Sequence, residues 1–151
     1  MSPVHVARDE WPRSSPPALQ LAGPLSQEID TNMSTASSVT EGVVRRHLQA
    51  FLQQQGIDAI VGDYADDACF ISESRIYRGT HEIRLFFEDF IAALPPDATG
   101  QFLLRSARFV DHLAYITWSA GRALPLGTDT FVVRDGKIVS QTFAMYAPTS
   151  V

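Results

Sequence analysis

The chain has one cysteine, Cys69, so it can form no internal disulfide. Cys69 lies in an apolar stretch and reads as a reduced core thiol, because free cysteine packs like a small hydrophobe. Positive charge is also scarce. There are 12 Lys and Arg against 17 Asp and Glu, giving a net charge of −5 and a pI near 5.2. Nucleic-acid binding needs clustered Lys and Arg against phosphate, so this balance argues against such a partner. No apolar run is long enough to span a bilayer, and the N-terminus lacks the apolar core of a secretory signal. No membrane partner is expected, and the cytoplasm is the default location. The histidines show no metal-ligand spacing such as a pair at i and i+4. His47, His81 and His112 read as surface residues on a helix, a helix start and a turn. No internal repeat is visible.

What remains is an ordinary globular composition. Of 151 residues, 45% are hydrophobic and 19% charged, which suits one domain. Residues 1–37 differ from the rest. Pro3, Pro12, Pro16, Pro17 and Pro24 lie among Ser, Gln and charges without a sustained apolar period. This segment is expected to be a disordered or loosely attached extension. Met33-Ser34-Thr35 reads as an alternative start. Residues 38–148 are expected to form a single domain.

That domain opens on Ser38-Val39-Thr40-Glu41, a capping-box pattern with Ser38 as cap. Val44, Leu48, Phe51 and Leu52 follow at helical spacing, and Gly56 ends the helix. A short second helix is expected over Ile57–Tyr64, then a strand over Ala68–Ser72. Gly79-Thr80 starts a third helix, with Ile83, Phe86, Phe87, Phe90 and Ile91 along it and Pro95-Pro96 stopping it. Strands follow: Phe102–Val110 and Leu113–Gly121 around an Asp111-His112 turn, then a hairpin around Asp135-Gly136. Helices first and an antiparallel meander afterwards predict an α+β fold with helices on one sheet face.

The final hairpin holds the most informative residue. Asp129 interrupts Gly127-Thr128-Asp129-Thr130-Phe131-Val132-Val133, a run with the composition of a half-buried strand. A carboxylate on the buried side must be paired, hydrogen-bonded or protonated. Its facing depends on the turn, since a one-residue slip flips every side chain of the partner strand. A two-residue turn pairs Val133 with Ile138 and sets Asp129 beside Thr142. A three-residue loop (Arg134, Asp135 and Gly136) pairs Val133 with Lys137 and sets Asp129 beside Gln141. The three-residue register sorts Asp129, Phe131, Val133, Val139, Gln141, Phe143 and Met145 onto one face. It leaves the small and hydroxylated residues on the other, and is preferred for that reason.

The order of elements, with three local phrases, resembles the nuclear transport factor 2-like superfamily and its SnoaL-like branch. The phrases are Ile60-Val61-Gly62-Asp63-Tyr64-Ala65-Asp66-Asp67-Ala68, Tyr77-Arg78-Gly79-Thr80-His81-Glu82-Ile83-Arg84-Leu85-Phe86-Phe87, and Thr128-Asp129-Thr130-Phe131 with Asp135-Gly136-Lys137-Ile138. They cover roughly Val39 to Tyr146. The resemblance implies a cone-shaped barrel, in which a curved, mostly antiparallel sheet and three N-terminal helices enclose an apolar pocket. It also implies homodimerisation through the outer sheet face. The enzymatic reading below implies no cofactor and no metal. Asp129 falls where the ketosteroid isomerases hold a neutral carboxylic acid that donates to an oxyanion. The rest of that machinery is replaced. Ser72 stands at the position of the catalytic base, Leu48 at the oxyanion tyrosine and Phe87 at a supporting tyrosine.

Two functions follow. One is an isomerase, cyclase or dehydratase acting on a small apolar or aromatic molecule, polycyclic ones included. Asp129 would be its general acid–base and Gln141 would orient it, with Trp118, Phe131, Phe143, Met145, Phe87, Ile116, Tyr64 and Ser72 contacting the ligand. The other is a non-catalytic ligand-binding or dimerisation domain of the same fold. Arg105 and Arg108 either face water or counter Asp129.

Overall fold

The structure, a computed structural model, describes residues 34–149. The expectations for residues 1–33, including the alternative start at Met33, lie outside the described residues. Three helices and six strands follow: α1 (Thr35–Leu52), α2 (Ile57–Val61), β1 (Tyr64–Ile71), β2 (Ile76–Arg78), α3 (Gly79–Ala93), β3 (Phe102–Val110), β4 (Leu113–Ala120), β5 (Leu124–Arg134) and β6 (Lys137–Tyr146). The strands form one sheet in the order β2-β1-β6-β5-β4-β3. Only β1 and β6 run parallel. The sheet is open, so the expected barrel is a curved sheet closed off by helices rather than by a last strand.

Register shifts mark four of the strand pairs. An extra residue bends a strand and increases its twist, which is how a sheet curls around a core. The concave face carries Phe70, Ala114, Ile116, Trp118, Phe131 and Ile138, all buried against Val44, Leu48, Ile83 and Phe87 of the helices.

α1 begins at Thr35 and is capped by Ser34, whose Oγ accepts from Ser37 N at 3.1 Å. The expected cap, Ser38, lies inside the helix. The extra turn is held from a distance. Ser37 Oγ accepts from Asp111 N at 2.7 Å, and Thr40 Oγ1 donates to Asp111 O at 2.6 Å. The β3–β4 turn thus clamps the helix start, a contact local sequence cannot reveal. At its other end α1 stops at Leu52, before Gly56, which caps α2 instead.

α2 is shorter than expected and β1 longer. Ile138 N donates to Asp63 O at 2.9 Å, and Tyr64 pairs with Ile138. Strand pairing with β6 therefore takes Tyr64 out of the helix and into β1. The short strand β2, paired antiparallel to β1, lies outside the sequence expectation.

The β5–β6 turn corrects the preferred register. Asp135 and Gly136 both have positive φ, 51° and 73°, as a two-residue type I′ turn requires. Arg134 pairs with Lys137 and Val133 with Ile138, not Val133 with Lys137. Val139 then bulges, so Val132 pairs with Ser140 and Phe131 with Gln141. The bulge restores the parity that a longer loop would have set. Asp129, Phe131, Gln141 and Phe143 therefore do share the concave face, although Asp129 lies opposite Phe143 rather than Gln141.

Candidate functional site

A pocket opens between the helices and the concave sheet face. Every phenylalanine of the chain except Phe109 lines it, with Trp118, His47, Leu48, Asp129 and Gln141. Its volume is about 60 Å³. That admits a handful of water-sized centres, at roughly 10–15 Å³ each, and is well below the roughly 150 Å³ that holds benzene in an engineered cavity. The pocket as it stands suits a small molecule. A polycyclic one would have to push side chains outward.

Asp129 is 7% exposed, and both its oxygens are occupied. Trp118 Nε1 donates to Oδ2 and Gln141 Nε2 donates to Oδ1, each at 2.8 Å. The Trp118 indole reaches it because Gly127 lies opposite on β5. A Cβ at Gly127 would come within 2.1 Å of the Trp118 ring, so only glycine lets the indole lie there. Burial pushes the Asp129 carboxyl up to about 6, against the opposing pull of the Trp118 and Gln141 hydrogen bonds and the nearby His47. It is therefore largely ionised at neutral pH. Two N–H donors aimed at its oxygens favour that charged form.

The polarity of this network propagates. An ionised carboxylate only accepts, so Gln141 presents its amide nitrogen to Asp129 and its oxygen to Tyr64. That oxygen accepts from the Tyr64 hydroxyl. Burial first, then Asp129 and Asp63, push the Tyr64 phenol well above its ordinary range, so it stays a neutral donor. With its hydrogen committed to Gln141, the Tyr64 oxygen can only accept from His47 Nε2, 3.3 Å away. His47 Nδ1 in turn faces Asp63 Oδ2 at 3.7 Å, and Arg46 Nε lies 2.6 Å from Asp63 Oδ1. Burial works to raise the Asp63 pKa. His47 and Arg46 outweigh it and hold the carboxyl below its ordinary value.

Of the residues expected at a ligand, Asp129, Gln141, Trp118, Phe131, Phe143 and Phe87 line the pocket. Tyr64 and Ile116 are buried beside it and do not line it, while Met145 packs on the outside of the core. Ser72 is corrected. Its hydroxyl accepts from Ser74 N and Arg75 N in the β1–β2 loop, away from the pocket. Arg105 and Arg108 are exposed, and Arg105 Nε bonds Ser119 Oγ rather than Asp129. His47 is the other correction. It is 3% exposed, not a surface residue. The signal was available, since His47 follows Val44 by three positions and precedes Phe51 by four, on the apolar face of α1. His81 and His112 are exposed as expected. Among the described residues, no group of three or more His, Cys, Asp or Glu could hold a metal. No described helix is long and apolar enough to cross a membrane.

The raised Asp129 pKa has a consequence for stability. A carboxyl at 3.8 in the unfolded chain and about 6 in the folded one favours folding while protonated. That contribution is full below about pH 4 and is lost as pH rises through about 6. It amounts to about 3 kcal/mol. Urea unfolding of the wild type and of Asp129→Asn at pH 4, 5, 6 and 7 measures it. The wild type is expected to lose that much relative to the variant across the window. Parallel curves would show that Asp129 is not buried as described.

An open, curved, mostly antiparallel sheet wrapped around three helices, with an apolar pocket between, defines a cone-like α+β fold. It is the nuclear transport factor 2-like fold. A protein of that kind and of unknown function from Burkholderia xenovorans LB400 superposes with a TM-score of 0.62 at 20% identity, covering 78% of this chain and 91% of that one. A ketosteroid isomerase-like protein from Erwinia carotovora atroseptica SCRI1043 gives 0.56 at 14% identity, covering 77% and 100%. A de novo designed protein with a curved β-sheet gives 0.59 at 13% identity, covering 76% and 88%. No protein-family model and no curated protein matches the sequence. At these identities the likeness shows the fold alone, and a fold by itself does not fix an activity.

Proposed function

We propose that this protein is a cofactor-free acid–base enzyme acting on a small apolar molecule, with Asp129 as general base. The observation that carries this is the Asp129 carboxylate, its two oxygens held by Trp118 and Gln141 in a pocket walled by aromatic rings. A carboxylate with a pKa near 6 is poised to take a proton at neutral pH and return it. The natural reaction is proton transfer next to a carbonyl, as in isomerisation, cyclisation or dehydration. Gln141 and Trp118 fix the carboxylate, and Phe87, Phe131 and Phe143 shape the ligand's seat. The charged form is the opposite of the neutral acid that the isomerase position implies. The alternative, a non-catalytic binding domain, keeps the pocket and loses the proton transfer. Solvent deuterium exchange separates the two. Small ketones incubated with the protein in D2O should exchange α-protons faster above pH 6 than below it. Exchange no faster than in buffer across the series would favour the binding domain.

We also propose that the convex sheet face joins two copies. Tyr115 pairs with Thr130, Thr130 with Thr142, and Thr142 with Ile71, so one row of side chains crosses that face. Leu113 and Tyr115 on β4, Leu126 on β5, Tyr146 on β6 and Ile71 on β1 are all exposed. Several large apolar side chains exposed on one sheet face, with small Thr residues between them, suit an interaction surface. Light scattering at micromolar concentration is expected to give a dimer, and Tyr115→Arg a monomer. A monomeric wild type would remove this part of the reading.

A further inference from the structure

We infer that His47 is the resident cation of the pocket, an imidazolium locked between Tyr64 and Asp63 whose charge balances Asp129. The inference rests on the acid–base reading above and supplies the second charged group that Asp129 lacks in the sequence. It follows from where hydrogens can stand. The Tyr64 hydroxyl donates to Gln141, so His47 Nε2 must carry a hydrogen to satisfy the contact at 3.3 Å. That leaves Nδ1. It and Asp63 Oδ2 are buried, have no other hydrogen-bond partner among the described residues, and face each other at 3.7 Å. A bare Nδ1 would set two buried acceptors against each other, each unsatisfied. A hydrogen on Nδ1 turns the same contact into an ion pair. Arg46 on the far side keeps Asp63 ionised at 2.6 Å.

The groups facing His47 come from every neighbouring element. Asp63 precedes β1 and Tyr64 begins it. The Phe87 ring packs on it from α3 and Phe131 from β5, both edge-on with centroids at 5.8 Å. Asp129 on β5 acts on it through Gln141 and Tyr64. The series Asp129, His47, Asp63, Arg46 therefore alternates in sign from the pocket to the surface.

This arrangement explains how proton abstraction stays balanced. When Asp129 takes an α-proton, the C–H electron pair moves onto the ligand's carbonyl as an enolate. One negative charge passes from the carboxylate to the ligand, and His47 keeps both its hydrogens. The imidazolium faces a negative charge before and after the step. When Asp129 returns the proton to carbon, the site is restored. Both ring nitrogens are occupied by protein, so His47 is a positioning residue that acts by charge rather than by giving up a proton.

Nitrogen-15 NMR of the histidine rings tests this directly. At pH 7 the wild type is expected to show both His47 nitrogens in the imidazolium range, and Asp63→Asn to return one to the unprotonated range. A bare His47 nitrogen in the wild type at pH 7 would overturn the inference. Carbon-13 titration of the Asp129 carboxyl supplies a second reading. His47→Gln is expected to move its midpoint upward by roughly one pH unit, and an unchanged midpoint would also overturn it. If His47→Gln does not fold, the wild-type nitrogen spectrum decides alone. None of these readouts needs turnover, so failure of ketone exchange would count against the enzymatic reading and leave the charge state of His47 standing.

Discussion

Asp129→Asn is expected to slow α-proton exchange of a small ketone by about 10²- to 10⁴-fold, the usual contribution of a positioned general base. The substitution keeps the shape and removes the carboxylate proposed to take the proton. It should not unfold the protein. An asparagine oxygen can accept from Trp118 or from Gln141, and its amide nitrogen then meets the other as donor against donor. One N–H is left unsatisfied, at a cost of about 1–3 kcal/mol. Against that, the variant no longer buries a charge. The two effects are similar in size, so a fall in stability beyond about 2 kcal/mol at pH 7 is not expected. Circular dichroism and urea unfolding check the fold, and exchange kinetics check the role. A folded Asp129→Asn with wild-type exchange would leave Asp129 without a catalytic part.

Gly127→Ala is expected to destabilise by about 3 kcal/mol or more, although it adds one methyl group. The new Cβ would lie 2.1 Å from Trp118 Cε2 and 2.2 Å from Cζ2. These are atoms of a rigid ring packed between Phe102 and Phe143. The indole cannot flex away as a long aliphatic chain could. It must turn, which costs the roughly 1–3 kcal/mol of overpacking and breaks the Nε1 bond to Asp129. A buried carboxylate losing a donor adds about 1–3 kcal/mol. The same change should raise the Asp129 midpoint, because one of the bonds that lower it is gone. Thermal unfolding and carbon-13 titration of the variant read the two effects. Wild-type stability would mean that Trp118 does not lie across Gly127.

Much of this site was legible in the sequence because strand periodicity is strict. Asp129, Phe131, Gln141 and Phe143 were placed on one face from their spacing alone, and they do line the pocket. The turn was misread and the faces survived, because the bulge at Val139 restored the parity. Contacts between elements distant in the chain stayed hidden. Thr40 and Ser37 bind the turn at Asp111, which sets where α1 starts. Tyr64 joins β1 because β6 pairs with it. His47 is the instructive miss. Its position on the apolar face of α1 favours burial, whereas its residue type favours the surface, and position wins. Its partner Asp63 lies in the segment 60–68, and nothing local ties that segment to a helix residue sixteen positions earlier. The sequence places Trp118 among the ligand contacts, but its bond to Asp129 depends on Gly127, a gap that a strand pattern does not display.

The central claim is that the Asp129 carboxylate addresses a ligand and not the protein alone. Crystals soaked with a series of small ketones, beginning with acetone, test it most directly. Density is expected in the aromatic pocket, with a ligand atom within hydrogen-bonding reach of an Asp129 oxygen while Trp118 and Gln141 keep their bonds. Ligand density that leaves Asp129 bound only to Trp118 and Gln141, with no ligand atom near it, would contradict the account and return the carboxylate to a structural role.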